Sequence, residues 1–180
     1  APGTCTGGNR RRMKRNLLKR LWTQLSALSV LFYYCVLNRC RVVGLANVPR
    51  EGGIILAANH ISMHETLVIP SAVLGGHLTR DVFAAAKQEL FEHPVMRMIM
   101  DGWGGVPIPR GRGAGIIPVL AELATTRTVL IFPEGTRHRD GVMGQANRGV
   151  GKIIHQSKAT VIPIGVSGLH RWKSFGLGQR

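Results

Sequence analysis

The chain has 180 residues, 44% of them apolar and only 18% charged. That is enough length and hydrophobicity to bury a substantial core and too little charge for a disordered chain. Lys and Arg outnumber Asp and Glu by 24 to 9, a formal net charge of +15, which points to a polyanionic partner: nucleic acid, an anionic membrane surface or a phosphorylated substrate.

Residues 1–8 are small and polar and read as a tail. Seven basic residues follow, Arg10, Arg11, Arg12, Lys14, Arg15, Lys19 and Arg20. They run into a helical pattern in which Leu17, Leu21, Leu25, Leu28, Phe32 and Cys35 recur at intervals of three or four. The mostly apolar segment from Leu21 to Leu37 is near the lower limit for a spanning helix, which needs roughly 20 apolar residues. Its basic start and the flanking Trp22, Tyr33 and Tyr34 favour a helix lying in, or dipping into, an anionic leaflet on the cytoplasmic side, monotopic or single-span. An ordinary helix packed on the core with a solvated basic end is the alternative. No small-residue cleavage site follows Leu37, which argues against a signal peptide. Residues 1–40 thus read as a basic tail and a membrane-associating helix, with residues 10–37 meeting the membrane, and residues 41–180 as an α/β domain.

Within that domain Arg41 to Val48 reads as a strand and Pro49 to Gly53 as a turn. The run from Gly53 to Ala58 is short, continuous and apolar, the pattern of a strand buried on both faces in a parallel sheet. A helix is predicted from Ser62, because Ser62-x-x-Glu65 fits a capping box and Leu67, Val68, Ile69 and Val73 follow it. Asp81 to Ala86 is a further strand. A Met-rich segment runs to Met100, with Val95, Met98 and Ile99 as expected core positions. Gly104 to Ile108 is predicted as a strand, Ala114 to Thr125 as a helix and Thr128 to Phe132 as a strand. A helix near Val150 to Gln156 and a strand from Thr160 to Val166 complete the order. Strands alternating with helices predict an α/β fold with a largely parallel central sheet flanked by helices.

Three chemically loaded loops each follow a predicted strand. His60, between strand and helix, can accept a proton from a hydroxyl near neutral pH if a carboxylate on its other nitrogen fixes the tautomer and stabilises the imidazolium. Glu65 can be that carboxylate if it sits in the first turn of the helix; pure capping is the alternative. A metal site of His60, His64 and Glu65 finds no matching Cys or His spacing elsewhere, and Cys5, Cys35 and Cys40 form no framework, which fits a reducing compartment. Arg110-Gly111-Arg112-Gly113 offers guanidinium forks and free amides suited to phosphate, or else solvated loop residues. Pro133-Glu134-Gly135-Thr136-Arg137 adds a guanidinium, a hydroxyl and a carboxylate, unless Glu134 and Arg137 form only a turn ion pair. If the strands are parallel, all three loops open at the carboxyl edge of one sheet and meet in a cleft. Nucleic acid is disfavoured as a partner, since the basic run adjoins an apolar helix and no stacking aromatics are interleaved with it.

Asn59-His60-x-Ser62-x-x-Glu65, Gly105-Val106-Pro107-Ile108-Pro109-Arg110, Phe132-Pro133-Glu134-Gly135-Thr136-Arg137 and Val161-Ile162-Pro163-Ile164-Gly165 resemble the four blocks of the glycerolipid acyltransferase family, in their usual order. The likeness covers about Val43 to Gly168, and the family includes the 1-acylglycerol-3-phosphate acyltransferases. It implies an enzyme that moves a fatty acyl group from acyl-CoA or acyl-carrier protein to the free hydroxyl of lysophosphatidic acid, giving phosphatidic acid. His60 would be the general base and Glu65 its orienting partner. Arg110, Glu134, Gly135, Thr136 and Arg137 would bind the phosphoglycerol part of the acceptor. The resemblance requires no cofactor beyond the acyl thioester co-substrate, no metal and no acyl-enzyme, and leaves Ser62 as a cap. Glu65 departs from the family's usual aspartate by one methylene, and Arg148-Gly149 stands where many members have lysine-glycine. That departure keeps open a catalytically weak membrane-binding relative, beside an enzyme for another lysophospholipid or a glycolipid. The chain starts at Ala1 and ends soon after the fourth block, so it reads as trimmed or as a piece of a longer protein, with part of an acyl-chain pocket missing.

Overall fold

The computed structural model describes residues 17–77, 80–108 and 115–172. Strands β1 (Ile54–Ala58), β2 (Val82–Lys87), β3 (Gly105–Ile108), β4 (Thr128–Ile131) and β5 (Thr160–Ile164) form one sheet in the order β3-β2-β4-β1-β5. Every pairing is parallel. The sheet is flanked by α1 (Leu17–Leu31), α2 (Glu65–Gly76), α3 (Pro94–Gly102), α4 (Ile116–Ala124) and α5 (Arg148–Ser157).

The uninterrupted apolar runs are buried because both faces of the sheet are covered. Ile54, Leu56, Ala58, Val82 and Leu130 pack with Ile69, Val73 and Leu74 of α2 and Ala27 of α1. Ile55, Val129 and Ile131 pack on the other side with Leu120, Ala121 and Ala124 of α4 and Ile153 of α5. Gly53 is needed at the entrance to β1, where a Cβ would stand 1.9 Å from the Ala124 carbonyl oxygen. The register matters most for function. Ala57 pairs with Ile131 and Ala58 with Ile164, so the loops after β1, β4 and β5 leave the sheet at one level.

Helix α1 continues into a π-helical turn, Phe32–Leu37. It is amphipathic the wrong way round for a helix packed in water. Thr23, Ala27 and Tyr34 are buried, whereas Leu18, Leu21, Leu25, Leu28, Phe32 and Val36 are between 53% and 80% exposed. Small residues face the protein because the approach is close: a Cβ on Gly75 of α2 would meet Leu31 Cδ1 at 2.7 Å. Among the described residues no helix is long and apolar enough to cross a membrane.

Three expectations are corrected. Arg41 to Val48 is not a strand but a loop with one 3-10 turn, Leu45–Asn47, entered through Gly44 at φ 79°. The left-handed Gly44 and the turn after it break the extended run, so the segment does not add to the open side of the edge strand β5. Val95 and Met98 are not core residues but 54% and 56% exposed, because the short α3 lies at the periphery and buries Gly102 instead. Tyr34 is not an outward anchor; it points into the protein, 1% exposed.

Candidate active site

Leaving β1 at the carboxyl edge, the chain passes through Asn59 and His60 before α2 begins at Glu65. Asn59 ties this loop to the one after β5: its Nδ2 donates to the Val166 carbonyl at 2.9 Å and its Oδ1 accepts from the Val166 amide at 2.6 Å. His60 Nδ1 lies 2.8 Å from Glu65 Oε1. The same oxygen accepts the Ser62 amide at 2.7 Å, and Ser62 Oγ accepts the His64 amide at 2.8 Å. The helix starts at Glu65 with His64, not Ser62, at its N-cap and no side-chain cap bond there; one carboxylate oxygen instead fixes the Ser62 amide of the loop and partners His60. The five-residue separation works because His60 precedes the helix and Glu65 occupies its first turn.

Glu65 is completely buried while the His60 side chain keeps 15% exposure. Burial pushes the Glu65 carboxyl up, but hydrogen bonds from His60 and the Ser62 amide outweigh it and hold the group below its ordinary value. An ionised Glu65 accepts from His60 Nδ1–H and leaves Nε2 as the nitrogen able to take a proton. The His60 ring stacks on Phe132 with centroids 4.1 Å apart. Phe132 also precedes the second loop.

That loop closes over the first. The His138 amide donates to the His60 carbonyl at 2.7 Å, and the Asn147 amide to the Pro133 carbonyl at 2.7 Å. Glu134 is turned inward, its Oε1 at 3.4 Å from the His60 amide and its Oε2 at 3.7 Å from His138 Nε2. Gly135, at φ 70°, reverses the chain in the left-handed region, so that Gly135, Thr136 and Arg137 are exposed beside the His60 loop. Arg110 lies outside the described residues; Ile108, two residues before it, ends β3 at the same sheet edge.

Behind Glu65 lies a cavity of about 300 Å³, lined by Val68, Ile69, Ala72 and Val73 of α2, by Leu45 and Val48, and by Ile162, Ile164 and Val166. Its aliphatic side chains stand beside the polar Arg41, Asn47 and Ser167, and Glu65 stands at its border.

Sequence reasoning missed a second cluster. Tyr34 OH and His64 Nδ1 share a hydrogen bond of 2.7 Å, and Trp172 stacks on Tyr34 at 5.5 Å while meeting His64 edge-on. Burial pushes the Tyr34 hydroxyl well up and holds the His64 imidazole below its ordinary value, the charge of Glu65 partly opposing the latter. The end of α1 is thereby joined to the residue beside Glu65. The π-helical turn that delivers Tyr34 carries no sequence mark beyond two adjacent tyrosines.

The family model described as Acyltransferase matches residues 39–167. The chain is 25% identical over 162 residues to the chloroplastic 1-acyl-sn-glycerol-3-phosphate acyltransferase LPAT1 of Arabidopsis thaliana, covering 88% of this chain and 42% of that protein. It is 28% identical over 158 residues to 1-acyl-sn-glycerol-3-phosphate acyltransferase alpha of Ovis aries, covering 85% and 53%. The chain thus spans about half the length of these curated relatives. The crystal structure of the 1-acyl-sn-glycerophosphate acyltransferase PlsC from Thermotoga maritima superposes with a TM-score of 0.66 at 22% identity, over 92% of this chain and 68% of that one, a likeness of fold. With the family model covering most of the chain, from the segment before β1 through the loop after β5, the chain belongs to the acyltransferase family.

Proposed function

We propose that the chain transfers a fatty acyl group from an acyl thioester, acyl-CoA or acyl-carrier protein, to the free hydroxyl of lysophosphatidic acid, giving phosphatidic acid and a free thiol. The observation that carries this reading is the His60–Glu65 contact of 2.8 Å on an oxygen already fixed by the Ser62 amide. His60 Nε2 takes the proton of the acceptor hydroxyl as its oxygen attacks the thioester carbonyl. The tetrahedral intermediate then expels the thiolate, which recovers the proton from His60. Glu65 holds the ring in the required tautomer and stabilises the imidazolium, an effect on the order of a hundred- to ten-thousand-fold in rate. Holding both reactants at one edge lowers the entropic barrier further.

The exposed Gly135, Thr136 and Arg137, together with Arg110, are the groups we assign to the phosphoglycerol of the acceptor. Glu134 supports the same site through the backbone contact that holds the His60 loop. The aliphatic side chains of the cavity behind Glu65 are suited to the acyl chain. No metal or cofactor enters this reading, in which the acyl thioester is a co-substrate. Residues 10–37, basic and then apolar with the large side chains of α1 turned outward, supply an interfacial contact with an anionic membrane.

The test is acyl transfer by the purified chain to lysophosphatidic acid from acyl-CoA and, in parallel, from acyl-carrier protein, on vesicles, with His60→Ala beside the wild type. Product from the wild type and none from a folded His60→Ala variant is expected. Full turnover by that variant would remove His60 as the base.

A further inference from the structure

Helices α1 and α3 meet at Gly102 and each carries exposed apolar side chains. Val95, Met98 and Gly102 share a face of α3 at spacings of three and four, and Val95 and Met98 are more than half exposed. Gly102 is where that face meets α1: Thr23 Oγ1 donates to its carbonyl at 3.0 Å, and a Cβ there would lie 3.6 Å from Trp22 Cδ1. Trp22, 47% exposed, stands at the seam, with Leu18, Leu21 and Leu25 beyond it on α1. Scattered exposed apolar side chains need no explanation, but a group of them on two helices that touch marks a contact.

The charges beside these side chains suggest what covers them. Lys19 and Arg20 of α1 and Arg97 of α3 are exposed, and Arg10, Arg11, Arg12, Lys14 and Arg15 precede α1 in the sequence. The acidic residues on the α3 stretch are Glu92 and Asp101, both exposed. Apolar side chains beside Lys19, Arg20 and Arg97, with a basic run next to α1 in the sequence, suit an anionic leaflet, whereas a two-fold contact between copies of the chain sets these positive charges against themselves.

We propose that α3 is a second membrane-contact element, seated with α1 in the interface of an anionic bilayer through Val95 and Met98. This rests on the reading that residues 10–37 meet such a membrane, and it enlarges the contact from one helix to two. A single interfacial helix can roll about its own axis; two joined at Trp22 and Gly102 fix the rotation of the domain. Helix α3 starts a short way after the carboxyl end of β2, and the π-helical turn that follows α1 places Tyr34 beside His64. The footprint therefore reaches the edge where His60 lies and holds that edge at the lipid surface.

The experiment is cosedimentation of the full 180-residue chain with vesicles of phosphatidylcholine and phosphatidylglycerol, three parts to one, at low and high salt. Variants are the double substitution Val95→Asn/Met98→Asn and, separately, Met98→Trp, each checked by circular dichroism and melting. Losing two half-buried apolar side chains from the interface is expected to weaken partitioning about ten- to thirtyfold. Met98→Trp is expected to strengthen it several-fold, a gain that misfolding does not produce. Unchanged partitioning in both variants overturns the proposal. So does a double variant that alters only the oligomeric state of the chain without vesicles, which assigns the surface to a second copy. A wild-type chain that stays in the supernatant overturns the membrane reading of residues 10–37 and this proposal with it. None of these results depends on acyl transfer, so the proposed chemistry stands or falls separately.

Discussion

Replacing Glu65 by glutamine separates catalysis from folding at one buried side chain. The carboxylate oxygen accepts from His60 Nδ1 and the Ser62 amide at 2.8 and 2.7 Å, and a glutamine carbonyl can occupy the same place. What changes is charge. Two charge-assisted bonds become neutral ones, a loss of about 1–3 kcal/mol in total, and the new amide group replaces Oε2, which is buried without a hydrogen-bond partner, costing about 1–3 kcal/mol more. Against that, a fully buried charge is removed, relieving a desolvation penalty of several kcal/mol. The net change in stability at pH 7 is expected within about 2 kcal/mol, a melting shift of less than about 8 °C for a domain of this size. Turnover is expected to fall by about two to four decades, because a neutral amide does not stabilise the imidazolium. Acid unfolding supplies the second readout. The Glu65 carboxyl is held below its ordinary 4.5, so as pH falls the unfolded chain takes the proton first. Its contribution to stability is therefore complete above 4.5 and is lost as pH drops through the folded-state value, and the glutamine variant lacks that loss. Near wild-type turnover in a folded Glu65→Gln variant would refute the assigned role.

Three further outcomes follow from the same geometry. Tyr34→Phe removes one hydroxyl and leaves His64 Nδ1 without the partner seen at 2.7 Å; urea denaturation is expected to register about 1–3 kcal/mol and turnover to fall with little change in KM, whereas unchanged kcat would make Tyr34 purely structural. His64 is held below its ordinary 6.5, chiefly by burial, so the unfolded chain protonates first and stability should rise with pH between the folded-state value and 6.5, then level off; His64→Gln should flatten the urea midpoint over that window, and a wild-type midpoint independent of pH there would contradict the burial argument. Ala72→Phe places a ring in the cavity behind Glu65 and should shift the preferred donor to shorter acyl chains, each excluded methylene costing about 0.8 kcal/mol or roughly fourfold in kcat/KM; an unchanged chain-length profile would put the acyl chain elsewhere.

The exposed Leu, Phe and Val side chains of α1 illustrate why a periodic pattern is not yet a packing arrangement. Leu21, Leu25, Leu28 and Phe32 mark one face of a helix, and the sequence reading of a membrane-associating segment used that face. Nothing in the repeat says whether such a face meets protein or lipid. Thr23 and Ala27, small and easily passed over, are the buried side: Thr23 meets Gly102 of α3, and Ala27 packs with Ile69, Val73 and Leu74 of α2. Val95 and Met98 failed as core residues for the matching reason: they belong to a short helix with no layer outside it. Arg41 to Val48 has the composition of a strand, but the left-handed Gly44 and the turn after it break the extended run before it can pair with the open edge of β5.

From the sequence alone came the strand-and-helix order, the parallel sheet and the His60 and Glu134 loops at its carboxyl edge, because continuous apolar runs separated by helical segments have few ways to be buried. Only the tertiary structure decided that one Glu65 oxygen serves both Ser62 and His60, that Glu134 turns inward to the His60 backbone, and that Tyr34 and Trp172 close around His64. Those contacts join residues up to 138 positions apart (Trp172 and Tyr34, 172 − 34), and such pairings are set by the register of parallel strands and the crossing of helices, which local periodicity does not encode.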